Sequence, residues 1–309
     1  MKLLQFWLPR IGARVGVLEG EAVTDITTPE ANSVLALLHQ AEADGITLAT
    51  AAARARAQAR GAPYPYSQLD GPLAQDRPHL LIPLEPPAVW GAGVTYRRSA
   101  EFRDAETNAP RETGTSTPRG IYDKVYYGER PELFFKGTAT HCVGSNGAIG
   151  IRSDSSFTAP EPEVALILDS RGRVVGYTLA DDVSAWDIER ENPLYLPQSK
   201  IFLGCCALGP VMVTADEIPD PSSVSLTCAI RRAGETIFQG STSISQMRRS
   251  FADLVGFLIR HNPIPTGTVL MTGTGIIVEN QHALREGDVV EIYSDAIGLL
   301  RNPVQRLPA

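Results

Sequence analysis

The segment from Ala159 to Asp187 constrains this chain more than any other. It reads Glu161-Pro162-Glu163, an apolar run from Val164 to Leu168, a turn signal at Asp169-Ser-Arg-Gly172, a second apolar run from Val174, and then Asp181-Asp182. Apolar runs on either side of a glycine-containing turn predict an antiparallel hairpin. Successive side chains of an extended chain alternate faces, so Glu161 and Glu163 share one, and Pro162 between them favours that extension. A regular register about the turn, with partner numbers totalling roughly 342, returns Asp181-Asp182 beside the two glutamates. Three carboxylates then converge. A Glu-x-Glu alone reads more readily as solvated strand polarity, and it is the hairpin that shifts the balance. Converging carboxylates repel unless a proton or a cation intervenes. All-oxygen ligation with no nearby His or Cys selects magnesium, manganese or calcium over zinc or copper.

The rest of the chain sets this hairpin in a β-dominated α+β fold. Residues 1–80 alternate strand patterns (Lys2 to Leu8, Arg14 to Leu18, Ala22 to Asp25) with helical ones (Ser33 to Ala43, Leu48 to Arg60). A proline-rich stretch from Ala62 to Pro87 then predicts a boundary, giving a small α/β N-terminal domain over 1–80 and a main domain over 81–309. In the main domain, short strand patterns recur at Ala148 to Ile151, Val211 to Val213, Val224 to Arg231, Thr236 to Gly240 and Val289 to Ile292. Helical spacing stands out only at Met247 to Arg260. Gly91-Ala-Gly93 reads as a turn, since no nucleotide-binding glycine signature follows in a strand-to-helix setting. A net charge of −7 lacks the positive field that nucleic acid requires, and no apolar run approaches the ~18 to 20 residues that span a bilayer. The start lacks a signal-peptide pattern. Cys142, Cys205, Cys206 and Cys228 show no Cys-x-x-Cys spacing, as expected of reduced thiols in the cytoplasm.

Glu161-Pro-Glu163, the hairpin ending Tyr177-Thr-Leu-Ala-Asp-Asp182-Val-Ser-Ala-Trp-Asp187, Lys200-Ile-Phe and Thr272-Gly-Thr274 together resemble the fumarylacetoacetate hydrolase family, from about Pro87 to the C-terminus. The resemblance implies a mixed β-sheet roll, with magnesium or a similar cation on Glu161, Glu163 and Asp182. It also implies a functional lysine at Lys200 and a functional loop at Thr272 to Thr274. Arg130-Pro-Glu132-Leu-Phe-Phe-Lys136, Glu191-Asn-Pro-Leu-Tyr-Leu-Pro-Gln-Ser-Lys200 and Gly204-Cys-Cys-Ala-Leu-Gly-Pro210 resemble a dehydratase branch of that family. That branch implies conversion of a 2-keto-3-deoxy pentonate of D-arabinonate or D-xylonate type to 2,5-dioxopentanoate, by a homodimer or a dimer-based tetramer. Carbon–carbon hydrolases of the family activate water with a His in the lid segment. This chain has Ser99 there, and its five histidines lie elsewhere, which fits a lyase.

Within that reading Glu132 and Lys200 are the candidates for proton transfer. Lys200 has an alternative role as an electrostatic partner of an enolate, and Glu132 one as an ion-pair partner of Arg130 or Lys136. Thr274, Gly273 and Thr95 are the candidate substrate contacts, and Thr95 to about Asp123, with Arg97, Arg98 and Glu101, is the expected lid. Phe134 and Phe135 are expected in the core, and Trp90 and Trp186 near the site. Two other functions compete: a metal-dependent hydrolase or decarboxylase of a diketo acid, and a non-catalytic small-acid binding protein.

Overall fold

The computed structural model describes residues 1–106 and 120–309. Its main sheet has twelve strands, ordered along its path as Tyr64–Pro65, Ala22–Asp25, Gly12–Glu19, Lys2–Leu8, Cys206–Thr214, Val174–Asp182, Pro162–Leu168, Thr268–Met271, Val89–Gly93 and Glu132–Gly137. Short strands His79–Leu80 and Cys142–Val143 pair on its flanks. A second sheet of five strands runs Glu235–Ser243, Ser225–Arg232, Val289–Ser294, Gly298–Arg306 and Ile149–Ile151. Pairing is mostly antiparallel, with parallel pairs where Thr268–Met271 meets Val89–Gly93, where Cys206–Thr214 meets Cys142–Val143 and where Gly298–Arg306 meets Ile149–Ile151. This is the β-dominated α+β roll expected. Among the described residues no helix is long and apolar enough to cross a membrane.

Helices form where the sequence supplies caps. Ser33 Oγ accepts from Ala36 N–H at 3.0 Å to start Val34–Ala43, and Thr47 accepts from Thr50 N–H at 3.1 Å to start Leu48–Gln58. The helix expected from Met247 begins only at Phe251, because Ser250 takes the extended cap conformation and binds Asp253 N–H. Gly91-Ala-Gly93 is strand and not turn. Two side chains of the partner strand Glu132–Gly137 pack over its glycines: a Cβ on Gly91 would meet the Phe134 ring at 2.4 Å, and one on Gly93 would meet Glu132 Oε2 at 2.0 Å. The glycines record that close approach rather than a bend.

The central hairpin forms as expected, with a difference in register that matters. Asp169 closes its turn, accepting from Arg171 and Arg173 N–H through Oδ1. Ile167 faces Gly176 but Leu168 faces Val174, so Val175 is an extra residue in the second strand. Glu163 consequently lies opposite Ala180 and Pro162 opposite Asp181. A regular register would have set Glu163 opposite Leu179 and put Asp181 on the glutamate face. The bulge turns Asp182 to that face instead, because a one-residue slip reverses every side chain.

Candidate metal and proton-transfer site

Glu161, Glu163 and Asp182 offer carboxylate oxygens that all lie within 4.8 Å of one another, and all three side chains are buried. Backbone bonds hold the corner: Asp182 N–H donates to Glu161 O at 3.0 Å, and Glu161 N–H donates to Asp181 Oδ1 at 2.9 Å. Asp181, turned to the other face, is pushed up to about 7, chiefly by burial.

Three buried cations surround the cluster. Lys200 Nζ bridges Glu161 Oε1 and Asp182 Oδ2 at 3.0 Å each, and reaches Ser184 Oγ at 2.6 Å. Lys136 Nζ lies 2.5 Å from Asp182 Oδ1 and donates to Val183 O at 2.8 Å. Arg103 spans Glu161 at 3.2 Å and Glu189 at 3.1 Å, with its guanidinium 4.4 Å from the centre of the Trp186 ring. Burial opposes the charge on Lys200, yet Asp182 and Glu161 outweigh it and hold the ammonium above the ordinary lysine value. The ion pairs to Glu161 and Asp182 thus favour the charged form of Lys200.

Glu163 is the exception among the three carboxylates. Among the described residues it contacts no cation, and Gly273 N–H donates to its Oε2 at 2.5 Å. Burial first, then the charges of Asp182 and Glu161, push its carboxyl well above the usual range. Glu161 and Asp182 are thus paired with buried cations while Glu163 and Glu132 touch none among the described residues, a deficit of positive charge that a bound cation would meet. The donor set is all oxygen. It fits a hard cation such as Mg²⁺.

Glu132 stands on the strand Glu132–Gly137 at the end of the sheet path, with two strands between it and the hairpin, its Oε2 buried and without a hydrogen-bond partner among the described residues. It pairs with neither Arg130, which lies over the Phe257 ring, nor Lys136, which is committed to Asp182. Burial, aided by Glu189 and opposed by Arg103 and Lys200, pushes its carboxyl up to about 6. Strand alternation puts Glu132, Phe134 and Lys136 on one face, with the Phe134 ring 5.2 Å from Lys200 Nζ; Phe135 is exposed, not core.

The Thr272–Thr274 loop closes the opposite side. Gly273 has φ +92°, which favours glycine, and a Cβ there would meet Thr95 Oγ1 at 2.0 Å. Thr95 Oγ1 donates to Thr272 O at 2.7 Å, and Thr274 Oγ1 accepts from Ile276 N–H at 3.1 Å. Of the three predicted contacts Gly273 bonds Glu163 directly, Thr95 packs on Gly273, and the Thr95 and Thr274 hydroxyls are engaged with backbone groups. The expected lid is helical over Arg97–Glu106 and Ile121–Tyr127, while 107–119 lie outside the described residues. Arg97 pairs with Glu101 at the surface.

The residue of that helix that enters the site is Arg103, which sequence reasoning missed, as it missed Lys136 and Glu189 as members of the cluster. Signals existed for each. Tyr96, Ser99, Ala100 and Arg103 recur at helical spacing and are all buried; Lys136 alternates with Glu132; Glu189 follows Trp186 by three on one helix face. Glu132 and Glu189 also line a cavity of about 530 Å³ with Tyr122, Val125 and Leu196. A larger cavity, about 700 Å³, lies by Glu42, Asp169 and Arg173 and contains none of the convergent carboxylates.

Comparison with known proteins agrees with this geometry. The family model for the fumarylacetoacetate (FAA) hydrolase C-terminal region matches residues 109–305. A 2-dehydro-3-deoxy-D-arabinonate dehydratase of Saccharolobus solfataricus is 50% identical over 224 residues, 72% of this chain and 74% of the relative. A probable 2-keto-3-deoxyxylonate dehydratase of Haloferax volcanii is 42% identical over 226 residues, 73% of this chain and 75% of the relative. A solved structure of 2-keto-3-deoxy-D-arabinonate dehydratase complexed with magnesium and 2,5-dioxopentanoate is 38% identical, with TM-score 0.81 and both chains covered in full.

Proposed function

This chain belongs to the fumarylacetoacetate hydrolase family, and on that premise we propose that it is a magnesium-dependent hydro-lyase converting a 2-keto-3-deoxy sugar acid, 2-keto-3-deoxy-D-arabinonate or its xylonate counterpart, to 2,5-dioxopentanoate. The observation that carries the reading is the pair formed by a cation-deficient carboxylate cluster and, beside it, an unpartnered Glu132 pushed up to about 6. Glu161, Glu163 and Asp182 would hold Mg²⁺, which when bound supplies Lewis-acid polarisation of a 2-keto acid.

Glu132 takes the proton from carbon 3, a task suited to a carboxylate whose affinity for protons is raised by burial. Lys200, ion-paired in its charged form, and Lys136 supply positive potential where the enolate forms. The carbon 4–oxygen bond then breaks, and the proton held by Glu132 leaves with the hydroxyl as water. The resulting 5-hydroxy enone loses a proton from carbon 5 and regains one at carbon 3. The enol so formed tautomerises to the aldehyde, so one water is lost in total. No water nucleophile is required, in keeping with Ser99 in the lid. Gly273, Thr274 and Thr95 are proposed as the substrate-facing wall beside Glu163.

The same proposal includes a homodimer or dimer-based tetramer, supported by the exposed Leu194, Leu203 and Phe135, and a cytoplasmic location, supported by four free cysteines. Purified protein with Mg²⁺ and 2-keto-3-deoxy-D-arabinonate is expected to form 2,5-dioxopentanoate and to stop on chelation. Absence of that product, with cleavage of an acylpyruvate or decarboxylation of oxaloacetate in its place, would overturn the reading.

A further inference from the structure

We infer that Glu189 recognises the terminal hydroxyl of the substrate and so selects a hydroxylated tail over a diketo or dicarboxylic acid. The inference rests on the dehydratase reading above and names the part of the acid that the adjoining cavity accepts.

Glu189 is only 2% exposed. Its Oε1 accepts from Arg103 Nη1 at 3.1 Å, and Arg103 is itself pinned by Glu161 and the Trp186 ring. Its Oε2 is buried and has no hydrogen-bond partner among the described residues. Native proteins leave few buried polar atoms unsatisfied, since each costs the desolvation of that group. Glu189 also lines the cavity that Glu132 lines, so a ligand seated there can bring the missing donor. A carboxylate oxygen beside a donor-only guanidinium is an acceptor, so the ligand group that satisfies it is an O–H or N–H.

The position of Glu189 identifies which O–H. The keto-acid end of the substrate belongs at Glu161, Glu163 and Asp182, and carbon 3 at Glu132. The cavity that Glu132 shares with Glu189 then receives carbons 4 and 5, between the Tyr122, Val125 and Leu196 side chains. The carbon 4 oxygen leaves as water, which assigns the carbon 5 hydroxyl to Glu189. An acylpyruvate or oxaloacetate presents carbonyl or carboxylate oxygens at that end. These are acceptors or anions that Glu189 repels, so one residue both attracts the sugar acid and rejects its competitors.

Glu189→Gln tests this without removing the arginine contact. Arginine only donates, so the amide oxygen must face Arg103 and the NH₂ is forced into the position of Oε2, replacing an acceptor by a donor. The measurement is kcat/KM for 2-keto-3-deoxy-D-arabinonate and for 2-keto-4-hydroxypentanoate, which lacks the carbon 5 hydroxyl and dehydrates to the ultraviolet-absorbing 2-oxopent-3-enoate. The ratio of the two values is expected to fall roughly 10- to 100-fold in the variant, the range for a hydrogen bond to a charged group. If Glu189 served only to hold Arg103, both values would move together and the ratio would stay, which overturns the assignment while leaving the dehydratase reading intact. A wild-type protein that dehydrates neither acid overturns the dehydratase reading itself.

Discussion

Two carboxyls in this site do different work because their neighbours differ. Glu163 lies against Asp182 and Glu161 with no cation of its own, so its native state holds a proton more tightly than the unfolded chain does. The stability of that protonated form is present below the ordinary carboxylate range and is lost as pH rises through the raised value. Glu163→Gln mimics the protonated form. Without metal, the variant is expected to melt no lower than wild type at pH 7, whereas Mg²⁺ raises the Tm of wild type only. Its magnesium-dependent turnover should fall by more than roughly 100-fold, and unchanged turnover would remove Glu163 from the ligand set. Glu132 makes the opposite demand, since proton abstraction needs its ionised form. With the carboxyl pushed up to about 6, kcat/KM is expected to rise as pH climbs through that value. Glu132→Gln should abolish that limb along with roughly 100-fold or more of the activity; a limb that survives in the variant assigns the base elsewhere.

At the level of elements, the hairpin and its bulge decide which aspartate joins the glutamates. Both strands, their turn and the convergence of acidic residues were legible in the sequence, because apolar runs and an Asp-Ser-Arg-Gly turn are local signals. The extra residue at Val175 was not, since a bulge inside an apolar run leaves no mark in hydrophobicity. Deleting Val175 is expected to restore the regular register, turn Asp181 toward Glu161 and Glu163, and cost more than roughly 100-fold in magnesium-dependent turnover. Retained activity and metal affinity in a folded deletion variant would show that the bulge does not select Asp182. Gly91 and Gly93 teach the same lesson from another direction. Glycine in sequence reads as a bend, but here the strand partner supplies the Phe134 ring and the Glu132 carboxylate that fill the space a Cβ would occupy.

Across the whole molecule, the leading segment and the catalytic hairpin share one sheet. Lys2–Leu8 pairs with Cys206–Thr214, which in turn pairs with the Val174–Asp182 strand, and the Met1 amine binds Thr214 Oγ1 and Glu217. Removing residues 1–80 would strip that strand and leave a long apolar edge. The truncated chain is expected to be insoluble or to lack a cooperative thermal transition, and a soluble, cooperatively melting 81–309 would show that the two parts fold independently. The sequence by itself determined the strands and capped helices, the hairpin, and the residue types of an all-oxygen cation site, because these depend on period, turn chemistry and ligand hardness. The resemblance already named Asp182 as the third ligand; only the tertiary structure gave the reason, the bulge at Val175, and decided that Lys200 is ion-paired with Glu161 and Asp182 and that Arg103, Lys136 and Glu189 complete the cluster. Those outcomes depend on which strands and helices meet across 18 to 86 residues of chain, a separation at which local pattern carries no information about contact.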